Sequence, residues 1–300
     1  MTEQFHTLLN CPICNSKQIE LFLKTKDYAI TKEEFELHQC QTCQFVFTQD
    51  MPAQNSIAKY YESVDYISHS DTKQGFINKI YHIARQYMLN YKLRLIKKHI
   101  IGNRVLDVGA GTGYFLNHMK NNGYEGKGVE VDAQAREYAR NHFNLSLLDP
   151  THFLKKSESE YDLITLWHVL EHLHDLHPFM KQFKKILSAK GKLVIAVPNR
   201  HSNDAKHYGS FWAGYDVPRH LWHFTPKDVK ELAKQHGFKL DKIKFLPLDP
   251  FYNSMLSEKY QLRQLGLLKA IVHGTSAYFA GLMNKKVASS PVFIFSHELS

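Results

Sequence analysis

One run constrains the fold of this chain more than any other: Val105-Leu106-Asp107-Val108-Gly109-Ala110-Gly111-Thr112-Gly113-Tyr114-Phe115. A short apolar strand leads directly into three glycines at alternate positions, then into a helical pattern over Tyr114–Asn121. Glycine tolerates positive φ and lets a ligand approach the backbone, and the N–H groups of such a loop can hold a polar group. A loop of this kind also serves as a plain turn or as part of a dinucleotide site. The downstream pattern narrows the fold. A second strand over Gly128–Val131 carries Glu130, and Asp132 is suited to cap a helix from Ala133 to about His142. Further strands are expected over Leu145–Leu148, Leu163–Trp167 and Lys192–Val197, with a helix over Pro178–Leu187 between the last two. Thr225 caps a helix over Pro226–His236, and late strands cover Phe238–Phe245 and Pro291–Ser296. Strands alternating with helices predict an α/β fold with a Rossmann-like, doubly wound, mostly parallel sheet.

Ahead of this core lies a segment of different chemistry. Cys11-Pro-Ile-Cys14 and Cys40-Gln-Thr-Cys43 hold all four cysteines of the chain. Two CxxC turns can present four thiolates tetrahedrally, as in a structural Zn²⁺ site; an iron–sulfur centre or free thiols are the alternatives. No further ligand or open position is suggested, so no metal catalysis is expected. Residues 1–52 therefore read as a small zinc-ribbon-like module with β-like runs at Ile19–Leu23, Phe35–His38 and Phe45–Phe47. Residues 53–103 read as a linker and helical cap, and 104–300 as the α/β domain with a helical insertion at about 250–285. In the cap, Tyr60, Tyr61, Tyr66 and His69 precede a helix whose apolar positions are Phe76, Ile80, Ile83, Tyr87, Tyr91 and Leu95. The tyrosines suit a lid over a cofactor or packing between the modules.

Four motifs, in order, resemble the class I S-adenosylmethionine (SAM)-dependent methyltransferases over about Arg104–Phe245. V-L-D-V-G-A-G-T-G is similar to the family's first motif and G-V-E-V-D at 128–132 to its second. Y-D-L-I-T-L-W-H-V-L-E-H-L at 161–173 and G-K-L-V-I-A-V-P-N at 191–199 are similar to the motifs of the fourth and fifth strands. The resemblance implies SAM as methyl donor. It implies that Gly109, Gly111 and Gly113 let the cofactor lie on the backbone, that Asp107 faces the ammonium, and that Glu130 takes the ribose hydroxyls. Asp149 ends the third strand and is a candidate for the adenine amino group or a plain turn residue; Val131 and Trp167, at strand ends, complete the expected cofactor contacts.

A hydroxyl or carbon acceptor also needs a base, and histidine suits that role near neutral pH. The chain has 19 histidines, so location must choose among them. His168 follows the fourth strand, whose carboxyl end lines the ligand crevice of such folds. Tyr215–Thr225 contains His220 and His223 and resembles a segment of bacterial methyltransferases with an N-terminal zinc module, including sugar C-methyltransferases. There a His-Leu-x-x-Phe-Thr run supplies a histidine near the acceptor, and His220 matches it. Where those enzymes carry an acid just before that histidine this chain has Arg219, which suits an acidic or phosphorylated acceptor.

Charge bears on the acceptor. The formal net charge is +9, yet residues 1–50 hold four Lys against seven Asp and Glu, while 72–106 hold eight Lys and Arg and no acid. The acidic module argues against phosphate binding. The sequence also lacks an N/D-P-P-Y/F run and any cysteine in the α/β domain, which base methylation would favour. A small-molecule or glycan-linked acceptor, O- or C-methylated, is therefore expected. An RNA methyltransferase using the basic helix 76–100, or a non-catalytic SAM-binding module, is the alternative. No secretory signal or membrane span is expected, which points to the cytoplasm.

Overall fold

The structure is a computed structural model that describes residues 5–61, 76–154, 161–262 and 266–298. Tyr66 and His69 lie outside the described residues. The central sheet has six strands in the order β11-β12-β9-β8-β6-β7, formed by β6 (Arg104–Val108), β7 (Glu125–Val129), β8 (Tyr161–Trp167), β9 (Leu187–Ala196), β11 (Phe238–Phe245) and β12 (Pro291–His297). The four strands β7, β6, β8 and β9 are parallel. Strands β12 and β11 are antiparallel at the far edge. The expected third strand is reduced to a bridge, Val129 with Leu148. Leu145 and Leu147 instead pack with Leu116 and Ala139, which holds that segment against the helices rather than in the ladder.

Alternation along the strands builds two layers. Val105, Leu163 and Val194 face one core with Leu93, Leu95, Ile96, Phe115 and Met119. Leu106, Ile164 and Ile195 face the other, with Phe179, Met180, Phe183 and Leu232. This is the period-2 signature of a sheet covered on both faces, and each such side chain contributes about 1.5–3 kcal/mol on burial. The cap helix (Phe76–Lys97) forms as expected. Its expected apolar face does not hold along its whole length: Ile83 and Tyr87 are exposed. Its contact with the sheet's core comes from its C-terminal half: Leu93, Leu95 and Ile96 are buried there, and Met88, Leu89 and Tyr91 pack against them.

The helix caps follow from local chemistry. Asp132 accepts a bond from the Gln134 N–H. Thr225 and Asp228 form a reciprocal capping box ahead of Pro226.

In the cysteine-bearing segment β1 (Phe5–His6) pairs with β5 (Met51–Pro52), and β2 (Ile19–Lys26), β3 (Glu34–Cys40), β4 (Val46–Thr48) and β10 (Trp222–His223) form a four-stranded sheet in the order β10-β4-β3-β2. The last strand comes from far along the chain. Phe47 pairs with Trp222 and Val46 with His223, both antiparallel. The aromatic rings of Phe45, Trp222 and Phe224 pack across this seam. A buried ionic latch reinforces it: Arg219 donates to Asp27 at 2.8 Å, to both Asp216 oxygens at 2.7 and 3.0 Å, and to the Tyr60 carbonyl at 2.8 Å. Arg219 is thus consumed within the fold and does not face an acidic acceptor, contrary to the sequence reading. The reason is that Asp27, on a turn 192 residues away, is fully buried and requires a cation.

Candidate active site

The strand order reverses between β6 and β8, and ligands of open α/β sheets bind at the carboxyl ends beside such a switch point. The loop after β6 and the segment after β8 meet there. Gly109, Gly111 and Gly113 all have positive φ, of 69°, 53° and 85°. At Gly109 a Cβ would collide with the side chain of Val169, so a glycine is required for the two segments to touch. At Gly111 a Cβ would meet nothing within 4 Å, which is open space above the backbone. Glu130, just past β7, accepts bonds from the Gly111 N–H at 2.7 Å and the Asp132 N–H at 2.9 Å. Its carboxylate therefore fixes the loop and sits beside the open space.

Asp107 is buried in β6 and accepts the Thr165 hydroxyl at 2.6 Å. Burial pushes its pKa up to about 7, against the opposing pull of the Thr165 bond and the Lys92 charge. Lys92 reaches in from the cap helix, its ammonium 4.4 Å from the centroid of the Trp167 ring. Trp167 is edge-on to Phe115, and its Nε1–H is buried without a partner. Open space over a positive-φ glycine, an orphaned indole donor and a buried carboxylate together fit a polar cofactor with an ammonium group, as SAM has. Val131 is largely exposed at the rim. Asp149 is occupied locally, accepting the Thr151 N–H at 2.9 Å and its hydroxyl at 2.6 Å, and it lies 3.6 Å from Arg136.

Beyond Trp167 the chain turns sharply. His168 has φ of 59°, a strained value for a residue with a Cβ. The turn aims its ring between two acids, with Nε2 2.8 Å from Asp249 and Nδ1 3.3 Å from Glu171. Burial alone would lower its pKa, but these two carboxylates outweigh it and raise the pKa to about 10. The Glu171 contact is an ion pair without hydrogen-bond geometry, and both Glu171 oxygens are buried with no hydrogen-bond partner. His172 Nδ1 lies 2.9 Å from the Arg219 carbonyl and 3.0 Å from the Tyr61 hydroxyl. Burial, helped by the nearby His220, lowers its pKa to about 4, so it is neutral. As a neutral ring its Nδ1 either donates to the carbonyl or accepts from the tyrosine, and the tautomer decides which.

His220 is buried, edge-on to His172 with centroids 4.6 Å apart. Its Nδ1 is 2.9 Å from the Gly214 carbonyl, and its Nε2 is 3.9 Å from Asp216. Ligand-capable atoms of Glu171, His172 and His220 lie within 4.8 Å of one another, so these three form one cluster beside the glycine loop. His223 is elsewhere. It lies in β10, with Nε2 2.9 Å from the Thr48 hydroxyl on the seam with the cysteine module. Sequence reasoning gave no role to Lys92, Asp216 or Asp249. Lys92 lies in a basic run that reads as a solvated face, and Asp249 is 81 residues from the His168 it holds.

In the cysteine module, Cys11 Sγ is 3.5 Å from Cys43 Sγ and Cys14 Sγ is 3.5 Å from Cys40 Sγ. All four sulfurs lie within 4.8 Å of one another. Zn–S bonds of about 2.3 Å in a tetrahedron place sulfurs about 3.8 Å apart, so the four donors fit such an ion.

Comparisons with known proteins agree with this geometry. A profile of the methyltransferase domain family matches residues 80–243, more than half of the chain. A ubiquinone biosynthesis O-methyltransferase from Rickettsia bellii is 23% identical over 199 residues, covering 62% of this chain and 83% of the relative. One from Coxiella burnetii is 27% identical over 141 residues, covering 44% and 60%. Among solved structures, magnesium protoporphyrin IX methyltransferase from Synechocystis PCC 6803 superposes with a TM-score of 0.53 at 11% identity, covering 82% of this chain and 100% of that one. A SAM-dependent methyltransferase from Thermotoga maritima does so with a TM-score of 0.50 at 16% identity, covering 75% and 96%. The chain belongs to the methyltransferase domain family and is an S-adenosylmethionine-dependent methyltransferase.

Proposed function

We propose that this enzyme methylates a hydroxyl of a small-molecule or glycan-linked acceptor, with His220 as general base. The carrying observation is the cluster of His172, His220 and the fully buried Glu171, whose oxygens accept no hydrogen bond and which follows Val169, the residue that packs on Gly109. SAM, when bound, supplies an activated methyl group on its sulfonium. Gly109, Gly111 and Gly113 hold it against the backbone, Glu130 orients its ribose, and Asp107 faces its ammonium. Val131, Trp167 and Asp149 would complete its contacts. The remaining task for the protein is alignment and one proton.

His220 is placed for that proton. Its Nδ1 is engaged by the Gly214 carbonyl, which leaves Nε2 as the accepting atom. Glu171 and Asp216 stabilise the imidazolium that forms. His168, with its pKa raised to about 10 by Asp249 and Glu171, is already protonated at neutral pH and serves as a charged partner rather than a base. His223 serves the seam between the modules. The similarity to ubiquinone O-methyltransferases supports an oxygen acceptor. An RNA acceptor is disfavoured because Arg85 and Lys92 of the basic helix turn inward over the Tyr114 and Trp167 rings. The cysteine module, with Zn²⁺ on Cys11, Cys14, Cys40 and Cys43, is a structural wall of the acceptor side, joined through β10 and Arg219. Among the described residues no helix is long and apolar enough to cross a membrane.

The test is transfer of labelled methyl from SAM into a fractionated cell extract, with the product identified by mass spectrometry. Label on a carboxylate, a nitrogen or RNA would overturn the hydroxyl assignment. In parallel, His220→Ala should retain SAM affinity and lower turnover by about 10²–10⁴-fold; unchanged turnover would clear His220 of the role.

A further inference from the structure

A second cluster of ligating side chains lies outside the site described above. It joins the helix Asn203–Tyr208, which leads toward the His220 segment, to the two helices Asp249–Tyr260 and Gly266–Met283 that separate β11 from β12. One residue comes from each helix: His207, Glu258 and His273. Their ligand-capable atoms lie within 4.8 Å of one another. The two imidazole rings stack with centroids 3.7 Å apart and planes 26° apart. Glu258 is 1% exposed. Its Oε1 accepts the Tyr208 hydroxyl at 3.2 Å, while its Oε2 is buried with no hydrogen-bond partner.

An ionised carboxylate in such a place is costly without a compensating cation. Among the described residues no Lys or Arg pairs with Glu258, and the nearest groups able to neutralise it are the two histidines. A single divalent ion supplies that cation. It neutralises the carboxylate and takes one lone pair from each neutral imidazole. Two nitrogens and one oxygen form a set that binds Zn²⁺ with a fourth position left for water.

We propose that His207, Glu258 and His273 form a Zn²⁺-binding site that clips the helical insertion to the helix preceding the acceptor-side segment. The site is independent of the four cysteines, so its ion is distinguishable from theirs. The probe is Zn²⁺ itself, titrated into the full-length, metal-depleted chain against a chromophoric chelator. The wild type should take up one equivalent more than His207→Ala, whose side chain is exposed. His273→Ala should behave the same way, and circular dichroism verifies that both variants are folded. Loss of one ligand should weaken this equivalent on the order of a hundredfold or more. Zinc should raise the melting temperature of the wild type beyond the rise seen in His207→Ala. Equal zinc stoichiometry and affinity in the wild type and both variants would overturn the proposal. So would a cluster that takes up no zinc and changes stability only with pH, which would make it a proton-sharing pair.

Discussion

Replacing Arg219 by Met removes a charge while keeping most of the aliphatic stem, and the structure sets the size of the effect. The guanidinium is 1% exposed and makes four bonds, to Asp27, to both oxygens of Asp216 and to the Tyr60 carbonyl. Removing one member of a buried ion pair costs about 3–5 kcal/mol. Asp27 keeps three N–H donors, from Ala29, Ile30 and Thr31, and the Thr31 hydroxyl, all at 2.9–3.1 Å. Those bonds place the loss near the lower end, about 3 kcal/mol. For a chain of this size that is a fall of about 6–12 °C in melting temperature. The assay is thermal and urea unfolding followed by circular dichroism at pH 7.5 and at steps down to pH 3. The sign of the pH effect is fixed. Burial alone would raise the pKa of Asp27 and of Asp216, but their bonds and charge interactions, Arg219 foremost, outweigh it and hold both below the ordinary value of 3.8. Their stabilising contribution is therefore complete above about pH 4 and is lost as the pH falls through the depressed folded values. The gap between wild type and Arg219→Met should be constant from pH 5 to 8 and should narrow toward pH 3. A loss under about 1 kcal/mol, or a gap indifferent to acid, would refute the latch.

Three further expectations follow from the same geometry. Glu130→Ala removes the acceptor of the Gly111 N–H and the proposed ribose ligand, so calorimetry should show SAM affinity at least about tenfold weaker; unchanged affinity would show that the cofactor lies elsewhere. Asp107 has its pKa raised to about 7 by burial, and only its carboxylate form attracts an ammonium. SAM affinity should therefore fall as the pH drops from 8 to 6, and Asp107→Asn should flatten that profile; an equal slope in the variant would count against the role. Cys40→Ser should abolish the zinc binding proposed for the cysteine module, read as zinc content. Because β10 completes that module's sheet, the loss should lower the melting transition of the whole chain and not only of residues 5–52. A separate, unshifted main transition would contradict this.

Legibility of the site divides along sequence distance. The glycine loop, Asp107, Glu130 and the CxxC pairs are local patterns whose spacing carries their chemistry, and the structure gathers each as a unit. His168 was legible as a residue at a strand end, but its state was not. That state is set by Asp249, which a β-strand pairing and a loop deliver from 81 positions away. Arg219 was misread for the same reason, since Asp27 lies 192 positions off. Ile83 and Tyr87 show the converse failure. Their helical spacing is correct, yet a periodic apolar face says nothing about whether a neighbour covers it.

What the sequence by itself determined is the class of the fold, the glycine loop after β6 and the gathering of four cysteines. Each rests on residues within one turn, one strand or one short loop, where backbone sterics and ligand geometry act locally. Tertiary structure alone decided the rest. It set His168 between Asp249 and Glu171 and His220 beside His172 and Glu171, used Arg219 to fasten the cysteine module, and completed that module's sheet with Trp222 and His223. These outcomes depend on burial and on charges brought together from distant parts of the chain. The cost of leaving a buried charge unpaired, which decides them, exists only once the chain has folded.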